Sequence, residues 1–316
     1  MPLAQIAAVA PVLEAKAKVE YRELPTQKWI GRCDSGRVPF GWSINPYRGC
    51  EYACRYCYAR YTHEFMGLSV GDDFDRRIFA KRWSASQFAS ELRRVPRGET
   101  IGLGTATDPY QPAERRYGIT RRILEVFAQE SGRALEITTK SDLIRRDSDL
   151  LIEASRRNRI SVNMTITTLD EALARTVEPK APRPSLRIDA MRELSRLGVR
   201  VNLAASPVLP GINDGYPSLD ALARAAKEAG ARSMWAGVVF LKPCSKEVFL
   251  PFLAERFPHL ARRYREAFSS SAYLRGEYPE TIRRRVDQIR EAHGLAERDH
   301  RSIPFAADPQ LELFVA

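Results

Sequence analysis

No apolar run in the sequence approaches the roughly 18 residues needed to cross a bilayer, so no membrane-spanning helix is expected. The opening stretch, MPLAQIAAVAPVLEAKAK, lacks a basic segment ahead of its weakly apolar residues, and no signal peptide is expected there. Cysteine is sparse: five in 316 residues, three of them clustered. That is no disulfide framework, and it points to a reducing, cytoplasmic setting. Lysine is scarce too, 9 against 41 arginines, within a formal net charge of +11. Low-complexity segments are missing, as is any repeat beyond a strand–helix rhythm. The apolar share, 44%, is that of a soluble globular chain.

The positive charge is unevenly spread. Residues 244–316 hold 12 basic and 11 acidic residues, a balance of +1, which leaves +10 for the first 243. Arginine doublets recur in that part: Arg76-Arg77, Arg93-Arg94, Arg115-Arg116, Arg121-Arg122, Arg145-Arg146 and Arg156-Arg157. Such an excess fits a polyanionic partner, nucleic acid above all. Solvated helix faces encoded by a GC-rich genome would look the same.

Apolar periodicity and turn signals give six strands alternating with helices. The strands are Val38–Ile44, Thr100–Thr105, Ala134–Thr139, Ile160–Thr167, Val199–Ala205 and Ser233–Leu241. The helices are opened by Ser84 (a capping box with Gln87), Thr120, Asp147, Ser185 and Ser218 as expected caps. Alternation of this kind predicts a parallel sheet with right-handed crossovers. The expected fold class is α/β: a partial (β/α)6 TIM-type barrel with an N-terminal extension and a C-terminal helical segment. The expected divisions are residues 1–35 for an extension with little pattern, 36–243 for the barrel and 244–316 for a helical cap. Within the cap, helical stretches are expected over Glu247–Phe268, kinked or split at Pro258, and over Pro279–His293.

The stretch Asn45-Pro46-Tyr47-Arg48-Gly49-Cys50-Glu51-Tyr52-Ala53-Cys54-Arg55-Tyr56-Cys57-Tyr58 follows the first strand, which places it at the C-terminal face of the sheet. Its cysteines, Cys50, Cys54 and Cys57, are spaced C-x3-C-x2-C, so the three thiolates converge on one centre or stay unpaired. Iron–sulfur clusters are held by thiolates, normally four, and three local ligands leave one iron open, as a catalytic metal keeps one position free. The alternative is a zinc site with His63 as fourth ligand, although such sites usually present two separated pairs.

Strand four alternates Ser161, Asn163, Thr165 and Thr167 with Ile160, Val162, Met164 and Ile166. One face is therefore polar and, with helices behind the other, lines the lumen. A polar lumen favours a bound polar ligand, touching Ser161 and Asn163, over a hydroxyl ladder satisfied within the sheet. On strand three, Lys140 stands at the C-terminal end, where an ammonium could hold a carboxylate. Gly102 and Gly104 would leave room for a ligand beside the backbone, or would mark only a bend. No catalytic residue is assigned by these patterns.

The cysteine spacing, with Tyr56 just before Cys57, resembles the signature of the radical S-adenosylmethionine (SAM) superfamily. From Asn45 to Lys242 the chain further resembles its spore photoproduct lyase-like, or DNA repair lyase-like, branch. The resemblance implies a [4Fe–4S] cluster on Cys50, Cys54 and Cys57 and SAM chelated by the open iron. It implies reductive SAM cleavage to a 5′-deoxyadenosyl radical that takes a hydrogen atom from the substrate. By the same resemblance Tyr56 and Tyr58 contact SAM, Lys140 meets its carboxylate, and Ser161 and Thr107 match further cofactor-binding positions. It also implies a nucleic acid substrate and an electron donor such as flavodoxin or ferredoxin. One departure stands out. Thr105 occupies the place of the branch's hydrogen-donating cysteine, and a hydroxyl is a poor hydrogen-atom donor; Cys244 would substitute only if it faced the lumen. The alternatives are a radical SAM enzyme acting on a peptide or small molecule, and a non-enzymatic iron–sulfur or zinc-binding module.

Overall fold

The computed structural model describes residues 2–16 and 18–295. Six parallel strands form the main sheet: β1 (Trp42–Ile44), β2 (Thr100–Leu103), β3 (Ala134–Thr139), β4 (Arg159–Thr165), β5 (Arg200–Val208) and β6 (Met234–Val238). They lie side by side in chain order, and Ile30–Arg32 adds an antiparallel edge to β1, which makes seven strands. Sequential parallel order with a helix after each strand is the barrel walk. It stays open, because β6 and Ile30–Arg32 are the two ends of the sheet. Apolar residues of the strands, among them Ile101, Leu135, Val162 and Val201, are fully enclosed beneath the helix residues Phe88, Ile123, Phe127, Leu151, Met191 and Leu222.

The helical starts differ from the expected caps. Ser84 does cap its helix, its hydroxyl taking the Gln87 N–H at 3.4 Å. Asp147 occupies the cap position of helix Ser148–Ser155, but its carboxylate goes to Arg121 and Arg146 rather than to the backbone. Thr120 lies inside a helix that begins at Ile119, and its hydroxyl donates to the Pro109 carbonyl at 2.6 Å. Ser185 and Ser218 also fall within helices Pro184–Arg196 and Tyr216–Glu228. Each of those two carries a proline in its first turn, whose fixed φ and missing N–H suit that position without a side-chain cap. Helix Glu171–Val177, not foreseen in the pattern, follows β4 and is capped by Asp170, which accepts from the Ala172 and Leu173 N–H groups.

The first 35 residues carry more order than their pattern suggested. Helix Leu3–Val9 leads into strands Val12–Ala15 and Glu20–Leu24. These build a second, four-stranded sheet with Arg77–Lys81 and Tyr47–Arg48. Arg77–Lys81 pairs parallel to Glu20–Leu24 and antiparallel to Tyr47–Arg48. The chain leaving β1 is thus clamped to a second sheet immediately before the first motif cysteine. At the other end, helices Pro243–Arg256 and Pro258–Ala267 meet at Pro258, and Phe249, Leu253, Leu260, Tyr264 and Phe268 pack in one apolar cluster with Cys50, Cys54 and Tyr56. The last described helix, Glu277–His293, buries Ile282, Val286 and Ile289 in the main core.

Candidate active site

Gly49 makes the turn into the cysteine loop. Its φ is +79°, and a Cβ there would lie 2.7 Å from the Phe74 carbonyl oxygen, so only glycine fits. The loop is then fastened along its length. Cys50 N–H donates to Phe74 O (3.0 Å) and Arg55 N–H to Val177 O (3.0 Å). Glu51 N–H donates to the Gln111 side chain (3.0 Å), and the Tyr52 hydroxyl to Tyr110 O (2.9 Å). The Ser245 hydroxyl reaches the Cys57 carbonyl at 3.1 Å. Arg60, 1% exposed, lies against Phe74 and donates to the Val70, Gly71 and Cys54 carbonyls.

All three motif thiols are free. Burial pushes the Cys50 thiol well up, with Asp108, Cys54 and Cys57 adding to the effect. Burial and then Glu178 push Cys54 up to about 12 against the pull of Lys140, and burial raises Cys57 against Arg60 and Lys140. Each thiol therefore acts on its neighbours, yet unaided the loop keeps them protonated. A cationic centre would supply the missing positive charge and displace the protons. Among the described residues no three Cys, His, Asp or Glu side chains close on a single metal ion. In a cluster each thiolate binds its own iron, so the sulfurs need not crowd around one ion. The donor set fits a cluster.

His63 does not join this loop. It is fully enclosed, edge-on to the Phe74 and Phe79 rings, with Nε2 at 3.1 Å from the Arg77 carbonyl. Burial holds its pKa down to about 4. It is a core histidine of the second sheet, which corrects the zinc alternative.

The C-terminal ends of β3 and β4 converge on a buried carboxylate, Glu178. Its Oε1 accepts from the hydroxyls of Tyr56 and of Thr167 (2.5 Å), and the Lys140 ammonium lies 3.6 Å away. Its Oε2 pairs with Arg187 at 2.6 Å, both side chains being 1% exposed. Burial alone would raise this carboxyl, but Arg187, Lys140 and the two hydroxyls outweigh it and hold the pKa at about 2. Lys140 also sits 5.8 Å over the Tyr56 ring. One anion thus ties the motif tyrosine, strands β3 and β4 and helix Pro184–Arg196 together. Neither Glu178 nor Arg187 belongs to a local motif; only the fold brings them here.

Asp108 organises the other side. It accepts from the Tyr110 N–H (2.9 Å), the Thr139 hydroxyl (2.7 Å) and the Lys140 N–H (2.7 Å). The Thr107 hydroxyl donates to the Gly49 carbonyl at 2.7 Å and accepts from Gln111 at 2.9 Å, so it braces the loop. The Thr105 hydroxyl is bound to Asn45, 3.0 Å away. Tyr58 donates its hydroxyl to the Thr105 carbonyl and packs on Phe240, ring centres 4.9 Å apart.

Ser161 and Asn163 sit deeper. The register sets Thr139 opposite Met164 and Glu136 opposite Ser161, so Lys140 is level with Thr165. Ser161 lies four residues, about 13 Å, below that level. Asn163 is engaged across the sheet: it donates to Glu136 at 3.3 Å and accepts from Asn202 at 3.1 Å, which accepts from Ser233 at 3.0 Å. The hydroxyls at the height of Lys140 are those of Thr165 and Thr167. The room expected at the two glycines is taken as well. A Cβ on Gly102 would meet the Phe40 ring at 3.0 Å, and one on Gly104 would meet Pro109 at 2.5 Å.

A family model described as the Radical SAM superfamily matches residues 44–232. The uncharacterized protein Rv2578c of Mycobacterium tuberculosis is 38% identical over 272 residues, 86% of this chain and 79% of that protein. The uncharacterized protein MJ0683 of Methanocaldococcus jannaschii is 28% identical over 207 residues, 64% of this chain and 68% of that one. Among solved structures, spore photoproduct lyase complexed with dinucleoside spore photoproduct superimposes with a TM-score of 0.64 at 15% identity, covering 86% of this chain and 79% of the lyase. Streptococcus suis SuiB bound to S-adenosylmethionine gives 0.50 at 16% identity, covering 75% and 52%. At such identities the structural likenesses speak to the fold.

Proposed function

The chain belongs to the radical SAM superfamily, whose enzymes use a [4Fe–4S] cluster and SAM, and from that premise we propose that it acts on nucleic acid with Cys50, Cys54 and Cys57 as cluster ligands. The observation that carries the reading is the placement of three free thiols, Cys50 and Cys54 buried and Cys57 half-buried, with the Lys140 ammonium at one end of an open parallel barrel. When bound, the cluster and SAM supply one-electron reduction and hydrogen-atom abstraction.

The chain's own residues do the rest. The loop fastenings hold the thiols in place, and helices Pro243–Arg256 and Pro258–Ala267 cover them from water. Lys140 offers its ammonium to the SAM carboxylate at the mouth, and Glu178 fixes where that ammonium sits. Tyr56, held by Glu178 and Thr167, and Tyr58, held by Thr105, are the residues on either side of Cys57 in the chain. Nucleic acid as substrate is supported by the excess of +10 across residues 1–243 and by the dinucleoside bound in the spore photoproduct lyase structure. Thr105, its hydroxyl bound to Asn45, stands where a donor thiol would be, so no thiol at that position returns a hydrogen atom.

The test is anaerobic reconstitution with iron and sulfide, followed by incubation with SAM, dithionite and single- or double-stranded DNA or RNA. The expected result is 5′-deoxyadenosine formation that nucleic acid stimulates, with deuterium passing from labelled nucleic acid into the product. SAM cleavage indifferent to every nucleic acid would overturn the substrate; a reconstituted cluster that cleaves no SAM would overturn the cofactor assignment.

A further inference from the structure

Beside the thiol loop stands a group of cations without carboxylate partners. Arg48 pairs with Phe79 in the second sheet, and Lys81, two residues along the same strand, projects from the same face. The Lys81 ammonium is held, donating to the Lys28 carbonyl at 3.0 Å and lying 5.2 Å from the centre of the Trp29 ring, which leaves Arg48, among the described residues, as the unengaged cation of that face. Lys242 caps helix Pro243–Arg256 and holds its Nζ 3.6 Å from the centre of the Tyr61 ring. The hydroxyl of that same ring feels Arg48. Tyr61 lies four residues after Cys57, and Ser245, in the first turn of the Lys242 helix, is bonded to Cys57. Arg48 and Lys242 therefore both act on Tyr61 beside the thiol loop.

Enclosed arginines elsewhere each face a carboxylate: Arg60 with Asp75, Arg133 with Glu130, Arg187 with Glu178. Among the described residues Arg48, Lys81 and Lys242 form no ion pair. Glu91 near Lys81 is bound to the Trp29 and Ile30 N–H groups, and the exposed Glu64 pairs with neither Arg48 nor Lys242. Arg48 and Lys242 carry their charges without an ion-pair partner, and the N-terminus of a fourteen-residue helix adds further positive potential. An anion relieves both. Two residues before Lys242, Phe240 stacks on Tyr273 with ring centres 5.1 Å apart and packs tilted against Tyr58 at 4.9 Å. The guanidinium of the exposed Arg37 lies 3.7 Å from the Tyr273 centre, in the manner of a stacked base. Cations beside an aromatic stack suit a single strand.

We propose that Arg48 and Lys242, with the first turn of helix Pro243–Arg256, form a phosphate subsite that holds a phosphodiester of single-stranded nucleic acid at the rim of the thiol loop. The adjacent base lies toward the Phe240–Tyr273 stack. The subsite deepens the nucleic-acid reading and rests on it for the identity of its occupant.

The experiment measures binding of a labelled single-stranded oligothymidylate to the reconstituted full chain across salt concentrations. Each lost phosphate contact makes the log–log salt slope shallower by about 0.7. K242Q is expected to flatten it by that amount, and R48Q/K242Q by about 1.4 with roughly tenfold weaker binding at low salt. R48K/K242R, which keeps the charges and reports on folding, retains the slope, as does R93Q/R94Q on the exposed end of helix Ala85–Arg94. Wild-type affinity and slope in R48Q/K242Q would overturn the subsite. If the wild type binds no oligonucleotide, tripolyphosphate is the second probe. Tripolyphosphate binding lost in R48Q/K242Q upholds the phosphate site while removing nucleic acid as its occupant; binding of neither probe overturns the site itself.

Discussion

Replacing Glu178 with glutamine keeps the shape of the side chain and removes its charge. Arg187 and Lys140 then face a neutral amide, and Arg187, 1% exposed, has no other carboxylate partner among the described residues. Removing one member of an enclosed ion pair costs about 3–5 kcal/mol. The pH linkage gives a similar figure. Holding this carboxyl at about 2 rather than 4.5 contributes about 3 kcal/mol, at roughly 1.4 kcal/mol per pH unit. The direction follows from the depressed value: the contribution is fully present above the unfolded pKa of 4.5 and is lost as pH falls toward the folded value of about 2. Urea unfolding of wild type and E178Q, reduced and metal-free, is therefore expected to show a gap of about 3 kcal/mol at pH 7. The gap stays constant down to about pH 5 and narrows below it. A gap under about 1 kcal/mol at pH 7, or one that closes between pH 7 and pH 5, would show that this carboxylate is not the charged hub of the site.

Two further outcomes concern the thiol loop. Serine at Cys50, Cys54 or Cys57 is expected to abolish the visible absorbance of the reconstituted cluster and to lower bound iron, while serine at Cys33 or Cys244 leaves both in place. A variant of the first set that still assembles the full cluster would break the ligand assignment. Gly49→Ala, with its Cβ driven to 2.7 Å from the Phe74 carbonyl at φ +79°, is expected to cost about 1–3 kcal/mol in urea unfolding and to reduce cluster loading. An alanine variant of wild-type stability would mean that the turn into the loop is free to relax.

Much of the scaffold could be read from the residues because its signals are local. The alternation of Ile160, Val162 and Met164 with Ser161 and Asn163 is carried by the strand itself, and a period of two survives whatever surrounds it. The cysteine spacing is local in the same sense, and so is Pro258, which splits the C-terminal helices. Helix starts were less legible: with proline in the first turn of two helices, the serines near their starts never needed to cap. Strand Glu20–Leu24 was hidden because it depends on a partner more than fifty residues away, Arg77–Lys81, and Val12–Ala15 in turn pairs only with Glu20–Leu24. Glu178, Arg187 and Asp108 were invisible as site residues for the same reason. Each looks like an ordinary charge along the chain until the barrel brings Glu178 and Asp108 to Lys140 and Arg187 to Glu178.

The sequence by itself determined the kind of chemistry, because three thiols within eight residues and an open parallel βα rhythm are statements about neighbours along the chain. Tertiary structure alone decided which charges face that centre. It gave Lys140 a carboxylate partner, sent His63 into the core of a second sheet, and left Arg48 and Lys242 unneutralised at the rim. Electrostatic partnership falls off with distance through space and takes no account of separation in sequence, so only the folded chain could settle it.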